Sequence, residues 1–266
     1  MHVNITIIGC GNMGSAFAEC LSQKNQVFLY DHHSEKAKKL EEMGFGKAFS
    51  DIQKLVVNSY LIILAVKPKN IHEISHLLVN SLNQDQILIS LLAGTPIKLI
   101  KELFPIPTVI RMMPNIAVKY GKGIVGAVSE GNCSEEKKNH LHTVFSQLGT
   151  VYWLPEDQIN ALTSLTGSGP AFFFVMIEAM IDAGVAMGLP AVEARNLVMG
   201  MLAGSLNLLE KSTLQPGELK QLIASPKGTT IAGLRKLEQL ALRSAIIESF
   251  LAAFDRANEL SDIDNV

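Results

Sequence analysis

The chain has 266 residues, 48% hydrophobic and 18% charged, with 23 basic side chains against 25 acidic ones and a formal net charge of −2. That balance excludes a disordered chain, which needs low hydrophobicity or strong charge imbalance, and it offers no basic footprint for nucleic acid or an anionic membrane. Three cysteines, Cys10, Cys20 and Cys133, have no paired spacing, so no disulfide framework or zinc cluster is read from them and a reducing, cytoplasmic setting is expected.

The opening residues run straight into an apolar strand pattern at 3–8, too soon for a signal peptide. A helix pattern follows at 13–23. Between them, Gly9-Cys10-Gly11-Asn12-Met13-Gly14 has the spacing G-x-G-x-x-G. In a strand–turn–helix unit the first glycine permits the tight turn and the second lets backbone approach a pyrophosphate. The third allows close helix–strand packing, and the helix start supplies N–H donors. A dinucleotide is the ligand this predicts.

Residues 27–30 form a second strand ending at Asp31, where a carboxylate can bind the ribose 2′-hydroxyl of NAD and repel a 2′-phosphate. His32, His33, Ser34 and Lys36 follow at once and suit that phosphate, so NADH is favoured while NADPH stays open. Asp31 as a simple helix cap is the plainer alternative. A charged helix is expected at 35–43 and a strand apolar on both faces at 60–66. Lys67 precedes Pro68, which places it in an extended tip at the carboxyl edge of the sheet, where ligands of such sheets bind. A solvated loop charge is the alternative there.

An amphipathic helix at 71–82 carries His72 and His76 one turn apart, without a third ligand, so no metal is expected. Strands at 87–92, 108–112, 121–128 and 150–154 complete the pattern. It describes an α/β fold: an N-terminal doubly wound (Rossmann) parallel sheet over residues 1–155.

From 156 the strand signals vanish. Helices are expected at 158–165, 170–187, 191–209 and 234–260. The breaks fall at Gly167-Ser168-Gly169-Pro170, at Gly188-Leu189-Pro190 and across 215–233. This is an all-helical second domain, 156–266. The apolar run 171–187 holds Glu178 and Asp182 and, at seventeen residues, falls short of the roughly 20 that span a bilayer. A partner surface is expected to cover it, and Gly200, Ala203, Gly204 and Ser205 let helices approach closely. The expectation is therefore no membrane and a homodimer through interleaved C-terminal helices, or a higher homo-oligomer.

Several segments, in order, resemble the pyrroline-5-carboxylate reductase family. They are the glycine turn, Ala65-Val66-Lys67-Pro68, Ala93-Gly94, Arg111-Met112-Met113-Pro114-Asn115, the stretch from Leu162 to Ala171, and Ser225-Pro226-Lys227-Gly228-Thr229-Thr230 with the residues to Leu234. The resemblance implies NAD(P)H-dependent reduction of the C=N bond of the imino acid 1-pyrroline-5-carboxylate to L-proline, the last step of proline biosynthesis. It implies a cofactor site of Gly9, Gly11, Asn12, Met13, Gly14, Asp31, His32, Ala65, Val66, Lys67, Pro68, Pro114 and Asn115. It also implies a substrate loop of Gly228, Thr229 and Thr230 that receives the carboxylate on backbone N–H groups. Thr230, near the imine nitrogen, and Lys67 are the candidate catalytic residues. From its own position Thr229 reads as an ordinary N-cap.

A cyclic imine protonated at nitrogen is already electrophilic, so positioning suffices and no buried general acid is required. Three residues depart from the family pattern. Lys227 stands where glycine or another small residue is usual and costs about 1–2 kcal/mol if the position needs positive φ. Ile116 replaces a common threonine, and Phe172 a frequent tyrosine. The alternatives are a reductase of another cyclic imino acid, a β-hydroxyacid-type reductase with Lys220 as its nearest catalytic lysine, and a non-catalytic dinucleotide-binding paralogue.

Overall fold

The computed structural model describes residues 3–129, 131 and 133–263. Its contacts divide the chain into two compact units, Met1–Gly167 with Phe254–Val266, and Ser168–Ala253.

The first unit is built on an eight-stranded sheet of order β3-β2-β1-β4-β5-β6-β7-β8. The strands are β1 (Asn4–Ile8), β2 (Gln26–Tyr30), β3 (Lys47–Ala48), β4 (Leu61–Leu64), β5 (Ile87–Ser90), β6 (Thr108–Pro114), β7 (Gly123–Ser129) and β8 (Gly149–Trp153). Strands β1 to β6 pair in parallel, and the order reverses between β1 and β4. The expected doubly wound sheet is present with one reversal inside it, where β7 runs antiparallel to β6 and β8 parallel to β7. The connection from Asn115 to Lys122 explains why. It is shorter than the dozen or so residues a parallel crossover needs.

Alternation along the central strands sorts their side chains to two faces, and helices cover both. On one face Ile5, Ile7, Ile63 and Ile89 pack with Phe17 of α1 (Asn12–Leu21) and Phe145 of α6 (Glu135–Phe145). On the other, Ile62, Leu64 and Leu88 pack with Ile74 of α4 (Ile71–Leu78) and Phe104, just past α5 (Ile97–Leu103). Strands buried on both sides read as continuous apolar runs, which is why they were visible in the sequence. The strand β3, with two residues, and α3 (Ile52–Val57), α5 and α6 are too short or too weakly patterned to have been anticipated. The helix α2 (Ser34–Glu42) was anticipated.

The contact boundary lies later than residue 155. Ile159, in α7 (Ile159–Leu162), is buried in the second core cluster, and Asn160 Nδ2 donates to Asn258 Oδ1 at 2.9 Å. These contacts tie the first turns after Glu156 and the end of the last helix to the sheet unit.

The second unit is helical: α8 (Gly169–Ala186), α9 (Ala191–Lys211), α10 (Pro216–Ile223), α11 (Thr229–Gln239) and most of α12 (Leu242–Ile263). Here α8 and α9 meet where a Cβ on Gly184 would lie 2.9 Å from the Ala194 Cβ. Phe172 and Phe250 pack edge to face at 5.1 Å. A Cβ added at Gly200 or Gly204 would meet nothing within 4 Å among the described residues outside its own helix turn, and Phe174, Val175, Leu197, Met201 and Leu251 are each half-exposed or more.

Three corrections concern this half of the chain. Gly167-Ser168-Gly169-Pro170 does not break the helix. A wide π-helical turn, Thr163–Ser168, carries the chain from α7 into α8, so the apolar helical run is 31 residues, Glu156–Ala186, and is long enough to span a bilayer. The stretch 215–233 contains α10, whose first turn is closed by the Gln215 N–H donating to Glu218 Oε2 at 2.7 Å. The expected last helix is two helices, interrupted at Leu240 and Ala241, with Ala241 at φ +53°.

Lys227 sits at φ +61°, so the conditional cost noted above applies. Lys227→Gly is expected to stabilise the protein by about 1 kcal/mol, since glycine reaches this conformation freely but gives back part of that gain through its larger unfolded-state entropy. Urea denaturation of the two proteins checks it, and a glycine variant less stable than the parent would refute it.

Candidate functional site

At the carboxyl ends of β1, β2 and β4, beside the point where the strand order reverses, the backbone opens a cleft. Gly9, Gly11, Asp31, His32, Ala65, Val66 and Lys67 all line it. The glycine turn builds its floor. Gly9 has φ +102°, and a Cβ there would stand 2.6 Å from the Ala65 carbonyl oxygen. A Cβ on Gly14 would overlap the Gly9 carbonyl oxygen, so α1 packs directly on the turn. A Cβ on Gly11 meets nothing within 4 Å, which leaves that face open for a ligand to approach the backbone.

Gly11 is also the N-cap of α1, and no side chain caps the helix. The N–H groups of its first turn, Asn12 to Gly14, are therefore free of a side-chain acceptor and present positive dipole to an anion. This is a cradle that fits a pyrophosphate.

Asp31 bridges the turn and the next helix. Its Oδ2 accepts from the Cys10 N–H at 2.7 Å and its Oδ1 from the His33 N–H at 2.8 Å. The carboxylate is thus fixed in orientation on the cleft wall. Burial, reinforced by Asp31, pushes the Cys10 thiol up to about 12, so it is a neutral packing group at physiological pH. Lys67 is extended (φ −72°, ψ 145°) and leads into a short turn beginning at Pro68, as the pre-proline position predicted.

Pro114 and Asn115 end β6 and are buried, outside the residues that line this cleft. Both ends of the Asn115 carboxamide are held by backbone. Its Oδ1 accepts from the Ile124 N–H at 3.1 Å and its Nδ2 donates to the Thr166 carbonyl at 3.0 Å.

In the helical unit, Gly228 is the N-cap of α11, so Thr229 is the first helical residue and not the cap. A Cβ on Gly228 would collide with Ser225 Oγ. With glycine capping, no side chain occupies the N–H groups of Thr229 and Thr230, and an incoming carboxylate is free to take them.

One ion pair escaped the sequence reading. Arg111, almost fully buried in β6, pairs with Glu156 at 3.0 Å, and the same Glu156 Oε1 accepts from the Ile97 N–H at 2.7 Å. Burial lowers the Arg111 pKa and Glu156 partly offsets that. The partners lie 45 residues apart, so only the fold brings them together. Among the described residues no group of three or more histidine, cysteine or acidic side chains is placed to hold a metal.

Residues 156–260 match the family model for pyrroline-5-carboxylate reductase dimerisation, and residues 4–94 match that for NADP oxidoreductase, coenzyme F420-dependent. The pyrroline-5-carboxylate reductase of Aquifex aeolicus is 35% identical over 264 residues, covering 98% of this chain and 98% of that protein. The chain belongs to the pyrroline-5-carboxylate reductase family. Its structure agrees. The Coxiella burnetii pyrroline-5-carboxylate reductase superposes with TM-score 0.89 at 29% identity, over 98% of this chain and 99% of that one. The Plasmodium falciparum pyrroline carboxylate reductase, solved with NADP bound, gives 0.88 at 26% identity, over 97% and 98%.

Proposed function

We propose that this chain reduces the C=N bond of 1-pyrroline-5-carboxylate with a reduced nicotinamide dinucleotide, giving L-proline and the oxidised nucleotide. The observation that carries the reading is the likeness over the whole chain to reductases of this name, from the glycine turn to the loop before α11. The bound nucleotide supplies the hydride. The chain's own residues supply position: the first turn of α1 holds the pyrophosphate, Lys67 sets a positive charge at the cleft edge, and the Thr229 and Thr230 N–H groups take the substrate carboxylate. The Thr230 hydroxyl accepts from the protonated imine nitrogen. No side chain has to give up a proton during hydride transfer, because the nitrogen is protonated beforehand and keeps that proton in the amine product.

Asp31 favours NADH. Two backbone donors hold its carboxylate in place, where it meets a ribose 2′-hydroxyl as an acceptor and a 2′-phosphate as a like charge. His32, His33 and Lys36 line the same cleft and pull against that preference, toward the 2′-phosphate of NADPH. The exposed apolar faces of α8 and α9 fit a second copy of this chain better than lipid, since they carry glutamate and aspartate and belong to the segment matching a dimerisation model. The setting is cytoplasmic, with all three thiols unpaired. Mixing the purified protein with pyrroline-5-carboxylate and either nucleotide, while following absorbance near 340 nm, tests the reaction. Oxidation of NADH faster than NADPH is expected, and oxidation of neither would overturn the proposal. Sedimentation in detergent-free buffer tests the assembly, which a stable, active monomer would refute.

A further inference from the structure

The π-helical turn, Thr163–Ser168, runs into Pro170, and the two are linked by a missing donor. In an α-helix the Thr166 carbonyl accepts from the N–H four residues on, and that residue is Pro170, which has none. Buried or half-buried carbonyls left this way need another partner. Asn115 Nδ2, just past the end of β6 and 51 residues away in sequence, donates to it at 3.0 Å. Around it, the hydroxyls of Thr163, Ser164 and Thr166 return to the carbonyls of Ile159, Asn160 and Leu162 at 2.7–2.9 Å, a pattern that bends and widens helices. The other half of the carboxamide takes the Ile124 N–H, so one buried side chain joins β6, β7 and the turn.

We infer that Asn115 is a positioning residue and not a cofactor ligand: its carboxamide supplies the donor that Pro170 withholds from the Thr166 carbonyl, and so pins the carboxyl end of β6 to the π turn. Asn115 lies outside the residues that line the dinucleotide cleft, and backbone from two other segments holds each end of its carboxamide. Its effect on the reaction, which rests on the function proposed above, is to hold the strand end at the sheet edge where the nucleotide binds.

A Pro170→Ala background tests this, because alanine returns an N–H to the Thr166 carbonyl. Asn115→Ala is made in the full-length protein with and without Pro170→Ala. Asn115→Asp, which keeps the acceptor for Ile124 but cannot donate to Thr166, carries the same comparison should the alanine variant fail to fold. Readouts are the melting temperature, NADH affinity from nicotinamide fluorescence, and kcat and KM for pyrroline-5-carboxylate. In the native background, kcat is expected to fall about fivefold to tenfold and the melting temperature to drop, with NADH affinity changed less than about threefold. In the Pro170→Ala background both losses shrink to about twofold or less, since the two changes address one carbonyl. A tenfold or greater loss of NADH affinity, or equal losses with and without Pro170, would overturn the assignment. The melting-temperature coupling needs no substrate, so it stands or falls separately from the reaction.

Discussion

Gly14→Ala is expected to abolish measurable dinucleotide binding and to lower the melting temperature by about 10 °C. The added Cβ would overlap the Gly9 carbonyl oxygen, which is backbone in a turn already committed to φ +102°, and would stand 3.2 Å from the Ala65 Cβ. No flexible side chain is there to yield. Either α1 moves off the sheet or the turn opens, and overpacking of this kind costs about 3 kcal/mol. For a unit of this size that corresponds to the stated shift, at roughly 2–4 °C per kcal/mol. Moving α1 also moves the N–H groups of Asn12 to Gly14 that face the pyrophosphate.

Gly11→Ala separates the two consequences, because its Cβ meets nothing within 4 Å among the described residues. That variant should melt within about 2 °C of the parent and still bind NADH at least tenfold more weakly, the loss arising only where ligand and methyl compete for space. Differential scanning calorimetry and fluorescence titration of both variants decide the matter. A Gly14→Ala protein that melts and binds like the parent would mean that the turn is not packed as described.

The features legible in the sequence are those in which one residue type is demanded at a fixed offset. The glycine turn is one, since Gly9 and Gly14 tolerate no side chain, and the extended Lys67 before Pro68 is another. Burial of the central strands was legible for the same reason, as unbroken apolar runs. Direction was not: β6 and β7 are both buried and apolar, and only the short connection between them betrays that they are antiparallel. The helix through Gly167 and Pro170 was misread because glycine and proline do break isolated helices. Here a donor from Asn115 replaces what proline removes, and a local reading has no access to it. Ala241 fails in the opposite sense, taking positive φ with no glycine to announce it. Lys227 was flagged only because the family pattern carries a smaller residue there.

The largest effect outside the cleft is expected at Glu156. Arg111 keeps 3% of its side chain exposed, and its Nε and Nη2 have no hydrogen-bond partner among the described residues, so Glu156 is its principal compensation. Removing one member of a buried ion pair costs about 3–5 kcal/mol, because the other charge stays behind. Glu156 is itself about one-third exposed, and water screens part of that, so Glu156→Ala is expected to cost about 2–4 kcal/mol. The same change strips the Ile97 N–H of its acceptor at the start of α5. Glu156→Gln keeps an oxygen for both donors and should cost about 1 kcal/mol.

The combined Arg111→Met, Glu156→Leu variant removes both charges and is expected to be more stable than Glu156→Ala alone, which a simple loss of packing volume would not produce. The pH dependence follows from the sign of the Arg111 shift. Burial lowers the pKa of this base, so its charged form is penalised at every pH below the folded value. That penalty is relieved only as pH rises through the folded value, still in the alkaline range of a guanidinium. Between pH 6 and 9 Arg111 is charged in both folded and unfolded chains, and the deficit of Glu156→Ala should be flat across that window. Urea titrations at three pH values measure it. A deficit below about 1 kcal/mol, or a double variant no more stable than the single one, would show that the Arg111–Glu156 pair contributes little to holding β6 and the start of α5 together.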